Sequence, residues 1–458
     1  MTRSKIRQIF LLLVDILILL LSLYLSLGLR YLNWPSKELW NEHLFFFIPV
    51  FFVCILILYI NSLYDLRKFI NQSRIIEQVS KSVFFSFLLT IIIFYLIPNR
   101  DLSPKTILVI FSLISYAFLL LWRLGFSLLN KNYLPTVNVA IIGYNEVIRK
   151  TIKTIKRNKN LGYEIKFILS ETNNVLEDIV DHYGLILIED VNQLSRAIKM
   201  HKINVLILEK DISEMKGLQK TLFNLLPSGI NYCTLSKFYE EISGQIPIEI
   251  LNKGWFLENL NLADKRNFER IKRLYDLGIS GLMLILSLPF WPIIMLAIKI
   301  DSPGPIIFKQ IRVGKNGKNF KFLKFRTMRV EDNTFKPTTT NDKRITRFGK
   351  FMRQTRIDEL PQLINVLKGE MSFVGPRPER PELIKNLSQN IPFYNIRNLI
   401  KPGITGWDQI SGEYHSPSIE DTYKKLQYDL YYIKNRSTYL DISIILKTIR
   451  TALGREGL

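Results

Sequence analysis

Apolar positions along this chain fall into three kinds of run, and each kind predicts a different element. Four runs, 9–29, 44–63, 80–97 and 106–129, approach or exceed the roughly 20 residues a helix needs to cross a bilayer. Between 133 and 255 the runs shorten to strand length: NVAIIGY (138–144), YEIKFIL (163–169), LILIE (185–189) and NVLILEK (204–210), with helical patterns between them. Strands alternating with helices predict a doubly wound parallel sheet. The third kind is LYDLGISGLMLILSLPFWPIIMLAIK (274–299), long enough to span but carrying Pro289 and Pro292 near its middle. Each proline removes a backbone donor and disturbs the helix. Farther on, Leu360, Leu363, Ile364 and Leu367 form a short helical stripe, with Pro361 suited to its first turn.

Charge orients these runs. Arg3, Lys5 and Arg7 crowd the N-terminus, and Arg67, Lys68, Arg74 and Lys81 the second loop, whereas Arg30 and Lys37 in the first loop face Glu38 and Glu42. The positive-inside rule therefore expects a cytoplasmic N-terminus, and four crossings return residue 130 onward to the same side. Asp15 and Arg123 lie inside the outer two spans, near ends facing one side. Snorkelling there is expected to spare them the cost of about 2.5–3.5 kcal/mol that a mid-bilayer charge carries. Around 274–299, Lys265, Arg266, Arg270, Lys272 and Arg273 precede the run and Lys299, Lys309 and Arg312 follow it. Both flanks then belong on the cytoplasmic side, which a single crossing cannot satisfy. A break at Pro289 predicts a re-entrant hairpin, with Ser287 satisfying a backbone carbonyl at the break.

The 458 residues allow two or three domains. A net charge of +22 points to an anionic partner, with nucleic acid, membrane phospholipid and a nucleotide substrate as candidates, and 48% apolar content favours membrane over nucleic acid. With cysteine only at Cys54 and Cys233, a disulfide framework or cysteine metal site is not expected. The first apolar run is too long for a signal-peptide core and lacks a small-residue cleavage site, so no cleavable leader is expected. The turn after NVAIIG carries Gly143 alone, where a dinucleotide fingerprint needs three glycines. The sheet domain is therefore expected to be structural or regulatory.

The chemistry concentrates in TRIDELPQLINVLKGEMSFVGPRP (355–378). Asp358 and Glu359 are adjacent carboxylates, which repel unless they are solvated, metal-bound or employed as nucleophile and base. Thr355 and Asp358 have capping-box spacing, so the pair alone also fits helix capping. The neighbours favour phosphate chemistry. Gly375-Pro376-Arg377-Pro378 presents an arginine on a rigid turn, and Lys324 and Arg326 close a basic, glycine-turned segment, 301–328. Arginine can grip phosphate through two hydrogen bonds. Taken alone, 301–328 reads rather as a solvated basic hairpin beside anionic lipid.

From Lys272 to about Leu453 the chain resembles the bacterial sugar transferases, the polyprenyl-phosphate hexose-1-phosphate transferase family. The resemblance rests on Lys272-Arg273 with Asp276, the proline-broken helix, SPGP (302–305), QIRVGKNG (310–317), KFRTM (324–328), DELPQLINVLKGEMSFVGPRP (358–378) and KPGITGW (401–407). The whole chain is similar to long-form members. It implies an α-helical membrane bundle (1–132), a Rossmann-like cytosolic α/β domain (133–255) and an α/β monotopic phosphoglycosyl transferase domain (256–458) with a re-entrant helix. The implied reaction moves a hexose 1-phosphate, galactose or glucose foremost, from a UDP-sugar to undecaprenyl phosphate and releases UMP. Asp358 would be the nucleophile, Glu359 its dyad partner, with Mg²⁺ or Mn²⁺ at Asp358. Lys324 and Arg377 would bind phosphate, and Asp429 matches a further family carboxylate. Lys272 and Arg273 would meet the lipid phosphate or anchor to anionic lipid. Some members have Ser-Pro at the break, whereas this chain has Ser287-Leu288-Pro289. A homodimer and other glycan-assembly enzymes are the expected partners. A membrane-anchored nucleotide-sugar dehydratase or epimerase, and a non-catalytic scaffold, are the competing classes. Each leaves the 358–378 segment without a role.

Overall fold

The structure is a computed structural model that describes residues 3–65, 72–96, 105–132, 136–170, 177–210, 212–215, 217–329, 342, 344–411 and 418–453. The loop cations Arg67 and Lys68 and the terminal GREGL lie outside the described residues. The chain divides into two units, Met1–Ser243 and Gly244–Leu458.

The first unit opens with four long helices: α1 (Arg3–Tyr31), α2 (Lys37–Ile60), α3 (Gln72–Leu96) and α4 (Lys105–Asn132). All four contain stretches long and apolar enough to cross a membrane. Their interior is packed by Leu19, Leu23, Leu27, Val50 and Phe111, with the Phe47 and Phe111 rings edge to face at 5.3 Å. Outward positions such as Leu17, Phe52 and Leu121 are exposed, as lipid-facing residues of a bundle should be. Asp15 and Arg123 do not snorkel. Both side chains are fully buried and form an ion pair with each other, and the Tyr64 hydroxyl donates to Asp15 at 2.6 Å. A charge inside an apolar bundle is tolerated when an opposite charge from a neighbouring helix meets it, so this pair ties α1 to α4. Asp15→Ala should lower unfolding stability in detergent by about 3–5 kcal/mol, because it strips the counter-charge from a buried guanidinium. The neutral double variant Asp15→Leu/Arg123→Met should recover most of that loss; unchanged melting of Asp15→Ala would refute the clamp.

A parallel sheet follows. It is built from β1 (Val137–Ile142), α5 (Glu146–Arg157), β2 (Tyr163–Leu169), α6 (Glu177–Tyr183), β3 (Ile186–Ile188), α7 (Leu194–Met200), β4 (Val205–Leu208), α8 (Gln219–Asn224), β5 (Asn231–Thr234) and α9 (Leu235–Ser243). The strand order is β3-β2-β1-β4-β5, with Val137 beside Tyr163 and Val139 beside Val205. Helices on both faces explain why the central strands read as unbroken apolar runs. Sequence patterning finds four of these strands. It misses β5, whose NYCT sequence is short and polar and pairs only at the sheet edge.

The second unit begins earlier than the sequence suggests. Residues 244–255 pack with it rather than with the sheet: Ile246 N donates to Gln427 O at 3.1 Å, and Ile246 and Ile248 join a core with Val374, Tyr394 and Leu430. The domain boundary therefore moves from 255 to 243. After α10 (Lys253–Asn259), the third apolar run forms α11 (Arg266–Ser287) and α12 (Trp291–Asp301), separated by a 3₁₀ turn, Leu288–Phe290, that contains Pro289. Ser287 Oγ donates to Leu284 O at 3.1 Å and accepts from Trp291 Nε1 at 3.3 Å. Leu284 O also accepts from Leu288 N, so the hydroxyl adds a second donor to a carbonyl that is already paired rather than meeting one freed by Pro289.

The remaining elements are β6 (Ile307–Val313), β7 (Asn319–Phe325), α13 (Arg347–Thr355), α14 (Gln362–Lys368), β8 (Ser372–Val374), α15 (Pro381–Asn390), β9 (Gly403–Thr405), α16 (Ile419–Asn435) and α17 (Thr438–Leu453). β6 and β7 form an antiparallel hairpin, Ile307 opposite Phe325 through Val313 opposite Asn319. The free edge of β7 is covered by Asn365 of α14, which accepts from Leu323 N at 3.2 Å and donates to Lys321 O at 2.7 Å. β8 and β9 pair in parallel. A Cβ at Gly403 would lie 2.0 Å from Gly375 N, so the backbone of KPGITGW can approach GPRP only without a side chain there.

Both arms of the broken helix bury against this same unit. On α11, Arg273 donates to Val366 O at 2.6 Å and Leu367 O at 2.8 Å, and Asp276 accepts from Phe373 N at 2.9 Å. On α12, Ile294 and Ile298 pack on Phe325 and Met352, and Asp301 accepts from Phe348 N at 3.0 Å. Leu282, Ile285, Leu286, Phe290, Ile293 and Leu296, around the break, are exposed. In the apolar window of this stretch 11% of positions are covered by protein, against 28–33% in α1–α4, which leaves more of its surface for lipid.

Candidate active site

Asp358 and Glu359 sit in one 3₁₀ turn, Ile357–Glu359, between α13 and α14. Arg356 ends α13 in the left-handed region at φ 58° and swings the chain into that turn. Helix capping does not explain the pair. No side chain caps α14 or the 3₁₀ turn, and the Thr355 hydroxyl bonds back to Phe351 O at 2.9 Å.

Asp358 and Glu359 are 1% and 7% exposed, and each faces its own cation. Lys324 Nζ, from β7, lies 2.5 Å from Asp358 Oδ2. Arg377 Nη2, from the GPRP turn, donates to Glu359 Oε1 at 3.0 Å, and Arg356 Nη1 stands 3.5 Å from the same oxygen. Among the described residues neither buried Asp358 oxygen has a well-directed hydrogen bond; Oδ2 has the Lys324 ion pair, and Oδ1 has none. The two acids are thereby made unequal. Burial pushes the Asp358 carboxyl up, Lys324 opposes it, and the Glu359 charge adds to the rise. Burial also acts on Glu359, but Arg377, Lys324 and Arg356 outweigh it and hold that carboxyl down at about 2. Glu359 is a fixed anion, while Asp358 keeps an oxygen with an unused lone pair.

A second tier holds the GPRP turn. Arg397 Nη2 donates to Arg377 O at 2.9 Å and lies 2.8 Å from Asp429 Oδ2, and Arg397 Nη1 donates to Tyr394 Oη at 2.6 Å. Arg312 Nη1 donates to Pro378 O at 2.9 Å, and Lys425 reaches Glu379 at 2.7 Å. Asp429 therefore acts on the turn through Arg397. Burial, opposed by Arg397, pushes its carboxyl up to about 6. Arg353, which donates to Thr327 Oγ1 at 2.9 Å, adds a cation whose charge lowers Asp358.

Of the residues singled out in the sequence, the structure brings Lys324 and Arg377 to the dyad, with Asp429 behind them. Three others lie elsewhere. Arg326 is buried and donates to Ser302 O at 2.5 Å and Ile298 O at 3.2 Å, closing the C-terminal end of α12. Lys272 is buried in an ion pair with Asp441, with Tyr432 Oη at 3.2 Å, and is not free to take a lipid phosphate. Arg273 is spent on the last carbonyls of α14. Each is a cation at a helix terminus or beside a buried acid, a role that charge counting along a sequence cannot separate from ligand binding. Arg397 goes unnoticed in the sequence, and Arg312 reads there only as a flanking charge, because neither stands in a run with the acids. Glu379 was within reach, one residue past GPRP.

Among the described residues no three His, Cys, Asp or Glu side chains cluster as metal ligands. Mg²⁺ commonly takes one or two carboxylates and completes its shell with water and substrate phosphate. The dyad, with the donor-free Asp358 Oδ1, fits that requirement.

Residues 267–455 match the sequence profile of the bacterial sugar transferases, and residues 60–231 match one described as a CoA-binding domain. Among curated relatives, the UDP-N-acetylgalactosamine-undecaprenyl-phosphate N-acetylgalactosaminephosphotransferase of Aeromonas hydrophila is 40% identical over 229 residues, 49% of this chain and 52% of the relative. The UDP-glucose:undecaprenyl-phosphate glucose-1-phosphate transferase of Xanthomonas campestris pv. campestris is 31% identical over 334 residues, 69% of this chain and 67% of the relative. The exopolysaccharide production protein PSS of Rhizobium leguminosarum bv. phaseoli is 40% identical over 193 residues, 40% of this chain and 96% of the relative. The chain thus spans about half to two thirds of the length of the first two.

The sheet's first turn does not fit CoA. Gly143, at φ 95°, lies where a backbone would approach a diphosphate, yet a Cβ built on it would meet Glu209 Oε2 at 2.1 Å. Asn145 Nδ2 donates to Glu209 Oε1 at 3.1 Å, and Asn145 Oδ1 caps α5 by accepting from Ile148 N at 2.9 Å. The chain's own Glu209 carboxylate lies against this turn, where its negative charge would repel a diphosphate. The match over 267–455, with relatives at 31% and 40% identity covered over two thirds or more of their length, establishes that the chain belongs to the bacterial sugar transferase family.

Proposed function

We propose that the second unit transfers a hexose 1-phosphate from a UDP-sugar to undecaprenyl phosphate. This would be the initiating membrane step of an exopolysaccharide, capsule or O-antigen. The observation that carries the reading is the buried dyad, in which Lys324 faces Asp358 Oδ2, Arg377 holds Glu359, and Asp358 Oδ1 has no hydrogen-bond partner among the described residues. The relatives' names support the reaction class, though they differ in sugar between glucose and N-acetylgalactosamine.

In this mechanism Asp358 Oδ1 attacks the β-phosphorus of the UDP-sugar. The bond from that phosphorus to the bridging oxygen breaks, UMP leaves, and an aspartyl-phosphosugar remains. A phosphate oxygen of the lipid then attacks the same phosphorus, giving the lipid diphosphosugar and freeing Asp358. Lys324 lies beside Asp358 and Arg377 beside Glu359, so each stands close enough to compensate phosphate charge. A divalent cation such as Mg²⁺ or Mn²⁺, held by Asp358 with the diphosphate, would supply further charge neutralisation. Glu359 holds Arg377 in place throughout. UMP release from a panel of UDP-hexoses and UDP-N-acetylhexosamines, with undecaprenyl phosphate and Mg²⁺, tests the reading. Absence of release from every donor would overturn it.

The same reading places α11–α12 as a re-entrant hairpin in the bacterial inner membrane, with the catalytic unit on the cytoplasmic face. Its support is that both arms bury against one unit while the residues around Pro289 are exposed and apolar. A single cysteine placed just after Lys299, in a Cys54→Ser/Cys233→Ser background, should react with an impermeant reagent only from the cytoplasmic side. Labelling from outside would restore a spanning helix.

A further inference from the structure

The β6–β7 hairpin has two faces, and only one belongs to the dyad. Phe308 pairs with Lys324, so side chains at 308, 310, 322 and 324 share the face that meets Asp358. Ile307, Lys309, Lys321 and Leu323 point to the other face, because successive strand residues alternate. On that other face lies a groove of about 600 Å³, walled by the hairpin, by Pro361, Ile364 and Lys368 of the α14 stripe, and by Trp291. Its floor is apolar: Trp291, Ile307, Leu323, Pro361 and Ile364. Its rim carries Lys309, Lys321 and Lys368, all exposed. None of these three ammonium groups has an ion-pair partner among the described residues. The acid in the lining, Glu370, is engaged by Asn365 Nδ2 at 2.6 Å.

We propose that this groove seats the headgroup of an anionic phospholipid of the surrounding bilayer, as an accessory lipid distinct from the reacting acceptor. Two features select that occupant. The rim is cationic and its lysines are free to meet a phosphodiester. The floor is apolar and continuous with the membrane segment, because Trp291 opens α12 at the break next to exposed Phe290 and Ile293. Of the hairpin residues in the lining, Ile307, Lys309, Lys321 and Leu323 alternate away from Lys324, whereas Phe320 shares its face and Pro361 follows Glu359 by two residues, so acceptor saturation has to separate an accessory lipid from the reacting one. The inference rests on the proposed membrane placement of α11–α12 and is independent of the sugar transferred.

The test uses full-length protein in nanodiscs of phosphatidylcholine with phosphatidylglycerol, read by native mass spectrometry for retained lipid. Wild type should retain phosphatidylglycerol. The variant Lys309→Ser/Lys321→Ser/Lys368→Ser should lose it by on the order of tenfold or more, since each lysine near an anionic surface contributes separately. Lys315→Ser/Lys318→Ser, in the hairpin turn outside the groove, should retain it. The half-saturating concentration of undecaprenyl phosphate in UMP release should stay the same in the triple variant. Unchanged phosphatidylglycerol retention in the triple variant overturns the proposal. So does a raised half-saturating acceptor concentration with retention intact, which would assign the groove to the acceptor. If wild type shows the lipid difference but releases no UMP from any donor, the transfer reading fails and the lipid site stands.

Discussion

Asp358→Asn should reduce UMP release from the preferred UDP-sugar by roughly 10⁴-fold or more, the scale seen when a covalent nucleophile is removed. An amide of the same shape keeps the side-chain volume but cannot form the aspartyl-phosphosugar. The fold should survive. Burial already disfavours the Asp358 charge and Glu359 adds to that, so a neutral group removes a repulsion. Lys324, one fifth exposed, can turn to water. Melting within a few degrees of wild type is therefore expected alongside the lost activity. In wild type, radiolabel from the sugar donor should become protein-bound when the lipid acceptor is omitted, and Asp358→Asn should show none. Full activity in Asp358→Asn, or equal labelling of the two proteins, would eliminate Asp358 as nucleophile.

Arg397→Met should act on both stability and turnover. Arg397 is 4% exposed and faces Asp429 at 2.8 Å and Glu379 at 3.8 Å. Removing one member of a buried pair costs about 3–5 kcal/mol, because it leaves a buried charge uncompensated. It also frees the Arg377 carbonyl and loosens the turn that holds the dyad. UMP release should then fall on the order of 10²-fold, as expected for misplacement of about 1 Å. Arg397 is a positioning residue, so Arg397→Met/Asp429→Leu is the discriminating variant. It should recover most of the stability and little of the turnover; recovery of both would show a merely structural role. A pH dependence follows too. The Asp429 carboxyl is raised to about 6 in the fold, above its unfolded value, so the folded state binds more protons between about pH 4 and 6 and stability falls as pH rises through that window. Without Arg397 the window should extend upward; an unchanged pH profile of melting would refute the Asp429–Arg397 pairing.

Much of the fold was legible along the chain because its causes are local. Runs of some 20 apolar residues, strand-length runs between helical patterns, and prolines inside an apolar helix each carry their own signal. The site was legible in part. Asp358, Glu359, Lys324 and Arg377 stand in two compact segments with turn residues beside them. Arg326, Lys272 and Arg273 looked equivalent to Lys324 because all are cations in or beside recognisable motifs. What separates them is the acceptor each meets, which depends on residues 24 to 169 positions away.

The sequence by itself determined the element types, the four membrane-length helices, the break at Pro289 and the acid pair, since periodicity, length and proline chemistry are properties of neighbours in the chain. Only the tertiary structure decided that Asp15 pairs with Arg123, that Glu209 lies against the turn at Gly143, and that Glu359 is the fixed anion while Asp358 keeps a free oxygen. Those outcomes turn on burial and on counter-charges brought from distant segments. Such electrostatic effects depend on separation in space and on how much water is excluded, neither of which can be read from separation along the chain.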